Sequence, residues 1–188
     1  FHGMPAGRHE AACASASIAL LAATAEIEAG RYDCVLVTGV TLERNVPGAV
    51  AAQHLGAATW VGEEAQGAKY AWPHMFHRVG EEYERRYGLR YEHLARIAEI
   101  NIGNARRNPL AQTRSWEYTP ESFTADDTAN PVIEGMIRRQ DCGQVTDGAA
   151  AVILASPAFA ARWAQQRRKD LANVPRITGW GHSTAHLK

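Results

Sequence analysis

Gly148-Ala149-Ala150-Ala151-Val152-Ile153-Leu154-Ala155-Ser156-Pro157 sets the fold class of this chain. Eight small or apolar residues without a charge read as a strand. Ser156 then offers a helix cap, and Pro157 suits the first helical position, where its missing N–H is no loss. The helix predicted from Pro157 to Lys169 carries Phe159 and Trp163 on one side. Near the start the same two elements occur in the opposite order. An alanine-rich helix, with Ile18, Leu20, Leu21 and Ile27 as its bulk, stops at Gly30, a residue that accepts the left-handed conformation at a helix end. The β-branched run from Asp33 to Val40 follows, and reads as a strand of a parallel sheet buried on both faces. Cys34 is expected in the core of that strand. A further strand is predicted over Val174 to Trp180. Helices alternating with apolar strands make this an α/β chain.

The stretch from 41 to 140 has a different character. Pro47-Gly48, Gly56, Gly62, Gly67 and Trp72-Pro73 punctuate it as loops. Two helices stand out. One runs from His74 to Tyr87 and stops at Gly88. The other runs from Tyr91 to Arg107, stops before Asn108-Pro109, and places Leu94, Ile97, Ala98 and Ile102 on one face. No part of 41–140 has the pattern of a sheet core, so it reads as a mostly helical and irregular insertion. Three strands, two of them about a hundred residues from the first, are fewer than a doubly wound domain carries. The visible elements read as the middle of a larger fold, and a sheet this incomplete should be sticky when isolated.

Composition narrows the function. The 188 residues hold 20 basic and 20 acidic side chains, so the formal net charge is zero. This gives no overall drive toward nucleic acid or an anionic membrane. The scattered clusters Arg85-Arg86, Arg106-Arg107, Arg138-Arg139 and Arg167-Arg168-Lys169 read as solvated surface, with phosphate contact the sharper alternative. Cys13, Cys34 and Cys142 form no CxxC pair, and an odd count fits a reducing compartment. No run is long and apolar enough to span a membrane.

Cys13 is the principal candidate for chemistry. It lies in Glu10-Ala11-Ala12-Cys13-Ala14-Ser15-Ala16-Ser17, at the first turn of what reads as a buried helix. The positive end of a helix favours thiolate over thiol, and its free N–H groups can hold an oxyanion. The alternative is a buried cysteine acting as a small hydrophobe. His74-x-x-His77 could share a metal at helical spacing, but no third ligand is evident and none is expected to bind.

Three segments together resemble the thiolase superfamily: Glu10-Ala11-Ala12-Cys13-Ala14-Ser15, the strand ending Thr38-Gly39-Val40, and Asp141-Cys142-Gly143-Gln144-Val145-Thr146-Asp147-Gly148-Ala149-Ala150-Ala151. Glu82-Tyr83-Glu84-Arg85-Arg86-Tyr87-Gly88 and Pro175-Arg176-Ile177-Thr178-Gly179-Trp180-Gly181 are similar to its sterol-carrier-protein-type branch, often labelled acetyl-CoA acetyltransferases. The resemblance spans nearly the whole chain. It implies part of a five-layered α/β/α/β/α fold with a mostly helical loop-domain insertion. Residues 1–40 would be part of the N-terminal half, 41–140 the loop domain, 141–172 the return to that half, and 173–188 the start of a truncated C-terminal half. The family's first strands would precede Phe1, and its second catalytic segment would follow Lys188.

By the same resemblance Cys13 is the acyl-accepting nucleophile of a thiolase. The enzyme would cleave or condense CoA thioesters through a Cys-linked acyl-enzyme, with CoA or acyl-CoA as substrate and no covalently bound cofactor. His74, Met75, Phe76 and His77 of the loop domain would lie near the bound acyl-CoA, as would Cys142 and Gly143. For Cys142 a plain loop cysteine is an equal reading. The activating histidine and second acid/base group belong to C-terminal motifs absent here. Gly181-His182 lacks the proline of the family's Gly-His-Pro element, so His182 reads as a strand-end residue. The chain alone is therefore expected to be inactive. The resemblance also implies a homodimer or homotetramer, and in some relatives a small OB-fold partner, in the cytoplasm or, in a eukaryote, the peroxisome. The alternatives are a non-catalytic thiolase-like subunit serving as scaffold or binding partner, and a thiolase-fold retro-aldolase.

Overall fold

The computed structural model describes residues 2–184. The elements run α1 (Ser15–Glu28), β1 (Cys34–Thr41), α2 (Gly48–Leu55), α3 (Ala71–Tyr87), α4 (Tyr91–Arg107), β2 (Val132–Glu134), β3 (Ile137–Arg138), β4 (Gly148–Ala155) and α5 (Pro157–Arg167). The fold is mixed α/β. The chain divides into two compact units, Phe1–Thr41 with Gly148–Lys188, and Leu42–Asp147.

In the first unit β1 and β4 pair along their full length, from Cys34 opposite Ala155 to Thr41 opposite Gly148. The pairing is antiparallel, which corrects the parallel sheet expected from the apolar runs. Side chains directly opposite share a face. Val35 with Leu154, and Val37, point to the half-buried face, and α1 packs on the ladder. Leu36 with Ile153, and Val40, stand on the other face in solvent. The run is apolar on both faces, but the described chain covers only one. For the same reason Cys34, at the first position of β1 and on the open side, is exposed rather than core. The helix α1 is also less buried than expected, with Ala23 its one buried residue.

Ser156 caps α5 as the sequence predicts, accepting the Phe159 N–H at 3.2 Å. Its hydroxyl donates to the Asp33 carboxylate at 2.7 Å, and its N–H donates to the Asp33 carbonyl at 2.9 Å. The cap therefore also ties the end of β4 to the start of β1. Val174 to Trp180 forms no strand, because a strand needs a ladder partner and this segment, with Pro175 at its second position, finds none among the described residues. The last four residues of the 173–188 segment lie outside the described ones.

The second unit is mostly helical, with a small β2–β3 hairpin. The helix α3 starts at Ala71, three residues before the expected His74, since Pro73 falls among the first four N–H groups that have no helical partner. Trp72 anchors this end by donating its indole N–H to the Leu55 carbonyl at 3.0 Å. The helix α4 spans the predicted residues, but its buried stripe is Ala95 and Ala98, flanked by half-buried Tyr91, Leu94, Ile102 and Ala105. Ile97 is 57% exposed and does not belong to it.

Asn130 is fully buried and organises the region beside α4. Its amide donates to the Thr124 carbonyl at 2.9 Å and to the Tyr91 hydroxyl, and its side-chain oxygen accepts the Gln140 N–H at 3.0 Å. Arg138 donates to the Asn130 carbonyl at 2.9 Å and to Asp127 at 2.7 Å, and its guanidinium lies over the Tyr91 ring. The side chain of one asparagine thus ties the start of α4, the Thr124 loop and the turn after β3 together.

Candidate functional site

Cys13 sits in a single 3₁₀ turn, Ala12–Ala14, that runs into α1. Its thiol is free and exposed. The residue before it, Ala12, holds φ at +49°, a left-handed conformation that costs a non-glycine residue about 1–2 kcal/mol. The turn is laced by short hydrogen bonds. Ala12 N–H donates to Glu10 Oε1 at 2.7 Å, and Ala11 N–H donates to Ser15 Oγ at 2.8 Å. The Ser15 hydroxyl lies 2.7 Å from the Ala12 carbonyl and 3.1 Å from Glu10 Oε1. The thiol is therefore presented to solvent just before a 14-residue helix, on a backbone held in a sparsely populated conformation.

In the other unit His74 and His77 lie one turn apart on α3, with ring centroids 6.1 Å apart and edge-on. His74 Nδ1 is 3.5 Å from Glu134 Oε1 on β2. His77 Nδ1 accepts the Met136 N–H at 3.3 Å, which puts the proton of a neutral ring on Nε2, 3.6 Å from Glu81. Gly135, at φ +54°, lets the hairpin turn so tightly that a Cβ there would overlap the His77 ring. The two histidines thus clamp the hairpin to α3. Met75 is half-buried beside them, whereas Phe76 is 62% exposed.

Cys142 follows the Arg139–Asp141 turn and is half-buried, its S–H donating to the Arg138 carbonyl at 3.5 Å. Burial, and then the charge of Asp141, push its thiol above the ordinary range. Gly143 is exposed just beyond it. Asp147 closes the unit by accepting the Glu43 and Arg44 N–H groups, both at 2.8 Å. No three His, Cys, Asp or Glu side chains come together as a metal site among the described residues. A cleft of about 520 Å³ runs along α4, lined by Arg96, Ile100, Arg106, Arg107, Tyr118 and Phe123 among others, and of the residues singled out from sequence for acyl-CoA chemistry (Cys13, His74, Met75, Phe76, His77, Cys142 and Gly143) none lines it.

No protein-family model matches the chain. Individual relatives do. The chain is 33% identical over 161 residues to an acetyl-CoA acetyltransferase of Methanothermobacter thermautotrophicus, an alignment covering 85% of this chain and 39% of that protein. It is 35% identical over 153 residues to an acetyl-CoA acetyltransferase of Methanocaldococcus jannaschii, covering 80% and 36%. It is 33% identical over 155 residues to sterol carrier protein 2 of Bos taurus, covering 78% and 27%. The chain is a relative of the sterol-carrier-protein-type thiolases. It spans less than two fifths of the length of each of these three relatives.

Within its second unit the structure brings His74 and His77 together with Glu134, and sets Cys142 beside Arg138 and Asp141. Cys13 belongs to the other unit. Sequence reasoning missed Glu10 and Ala12 as the residues that shape the Cys13 turn. Glu10, three residues before Cys13 and five before Ser15, was a signal available in the sequence. It also missed Asn130, for which Asn130-Pro131 after Asp126-Asp127 gives only a turn signal.

Proposed function

We propose that the whole protein is an acyl-CoA acyltransferase of the thiolase type, with Cys13 as the residue that carries the acyl group. The observation that carries this reading is the free, exposed Cys13 thiol on its constrained turn at the start of α1. Relatives named acetyl-CoA acetyltransferase support it. In the cleaving direction the Cys13 sulfur adds to the ketone carbon of a 3-ketoacyl-CoA. The bond between C2 and C3 breaks, and its electron pair takes a proton to leave acetyl-CoA. The thiol of free CoA then attacks the Cys13 thioester, carries off the shortened acyl group and returns the cysteine. Condensation is the reverse. Sulfur suits both directions because a thiolate is a strong nucleophile near neutral pH and one thioester exchanges for another.

A base is needed to take the proton of Cys13, and an acid must serve the α-carbon. No histidine hydrogen-bonds Cys13 among the described residues, so the 188-residue chain by itself should not turn over. A second reading, a non-catalytic thiolase-like subunit, draws on relatives named sterol carrier protein 2 and non-specific lipid-transfer protein-like 2. The test uses the full-length protein. After incubation with acetyl-CoA, peptide mass spectrometry should find an acetyl group on Cys13, and Cys13→Ala should remove both the adduct and the thiolysis of acetoacetyl-CoA. No adduct, with Cys13→Ala behaving as the parent does, would leave the non-catalytic reading.

A further inference from the structure

We infer that Glu10 is a positioning residue for Cys13, acting through the backbone of Ala12; the inference rests on the acyl-transfer reading above. One carboxylate oxygen, Glu10 Oε1, accepts the Ala12 N–H at 2.7 Å and lies 3.1 Å from the Ser15 hydroxyl, whose single proton has the Ala12 carbonyl as its nearer acceptor at 2.7 Å. It thereby bridges the residue before the thiol to the first residue of α1. Ser15 Oγ completes the loop by accepting the Ala11 N–H at 2.8 Å. Ala12, the residue inside this loop, is the one at φ +49°.

An alanine does not hold that conformation by preference; a glycine would, without steric cost. The conformation therefore has to be imposed, and the Glu10 and Ser15 bonds are what engage both sides of it. Its consequence falls on Cys13, because the dihedrals of residue 12 set the direction in which the next residue leaves the chain. Small displacements of a reacting atom lower rates steeply, so a relaxed turn reads out as lost acylation. The role is geometric and needs an oxygen acceptor rather than a charge. Glutamine supplies that acceptor; alanine does not.

The experiment uses full-length protein and the variants Glu10→Ala and Glu10→Gln. Four quantities are measured: the rate of Cys13 acetylation by acetyl-CoA, kcat and KM for thiolysis of acetoacetyl-CoA, and hydrogen exchange of the peptide spanning residues 10–15. Glu10→Ala should slow acetylation and lower kcat on the order of ten- to hundred-fold with KM little changed, and should speed exchange at the Ala12 amide. Glu10→Gln should stay within about three-fold of the parent in rate and match it in exchange. A parent-like Glu10→Ala, or equal losses in both variants, overturns the positioning role while leaving Cys13 as the nucleophile. Absence of any acetyl adduct on Cys13 in the parent protein overturns both readings, so the two failures are distinguishable.

Discussion

Asn130 in the unit Leu42–Asp147 has no exposed surface, and each polar group of its side chain is bonded. In the other unit Leu36 and Ile153 are paired across the β1–β4 ladder, yet stand 53% and 68% exposed. The unit Leu42–Asp147 turns irregular chain into structure by satisfying polar groups among themselves. The unit that holds the β1–β4 ladder is regular but leaves an apolar face in solvent among the described residues. The two also carry different kinds of candidate residue. The histidines and Cys142 are engaged in local bonds, and Cys13 is presented to solvent. Regular hydrogen bonding and burial are thus separate properties here. A residue's chemistry follows from which of the two its surroundings supply.

The largest effect should come from Asn130→Ala. The Gln140 N–H, the Thr124 carbonyl and the Tyr91 hydroxyl would each lose the partner that buried Asn130 supplies, in a part-buried site. At about 1 kcal/mol or more per orphaned group, the loss is roughly 2–4 kcal/mol. Urea unfolding should show it as a lower midpoint. A change under about half a kcal/mol would mean that water replaces the amide, and that the contrast between the units is smaller than the geometry says.

Gly135→Ala comes next. The new Cβ meets the His77 ring, and φ of +54° is strained for any residue with a side chain. The expected cost is about 2 kcal/mol, from the backbone together with displacement of His77. The imidazole signals of His77 in an NMR spectrum should move with it, while those of His182, in the other unit, should not.

Much of this was legible in the sequence, for stated reasons. The helix α4 and the strand β4 have the predicted bounds, because Asn108-Pro109 and Ser156-Pro157 are stop and start signals that act within a few residues. The thiolase-type relation was legible too, since it is written in short motifs. Strand direction was not. An apolar run on both faces looks the same whether its partner is parallel or antiparallel, and it does not say whether a covering layer is present. That is why Cys34 read as core and is exposed. Nor could the Cys13 turn be seen in full. Alanine at position 12 predicts an ordinary helical φ, and only the bonds from Glu10 and Ser15 account for the left-handed one.

The thiols sharpen the comparison on a smaller scale. Cys142 is half-buried, hydrogen-bonded, and pushed above the ordinary thiol range by burial and by Asp141. Cys13 is exposed and free. Limited treatment with iodoacetamide at pH 7 should therefore label Cys13 at least roughly ten times faster than Cys142, because the thiolate at an accessible site is the reacting form. Comparable labelling would show that the Arg139–Asp141 turn opens readily.

Asp141 gives the smallest effect, and its sign follows from its surroundings. Burial raises its carboxyl above the ordinary value of 3.8, against the opposing hydrogen bond from the Arg138 N–H at 2.8 Å and the charge of Arg138. A carboxyl harder to ionise in the folded chain than in the unfolded one penalises folding once it is charged. The folded state therefore has its full advantage below about 3.8 and loses it as pH rises through the raised value. Asp141→Asn removes the ionisation and keeps an oxygen to accept the Arg138 N–H. Its melting temperature should exceed the parent's at pH 7, and the gap should close as the pH falls toward 3. A gap of the opposite sign at pH 7 would mean that attraction to Arg138 outweighs burial. In that case the polar network of this unit would be held by charge rather than by hydrogen bonding alone.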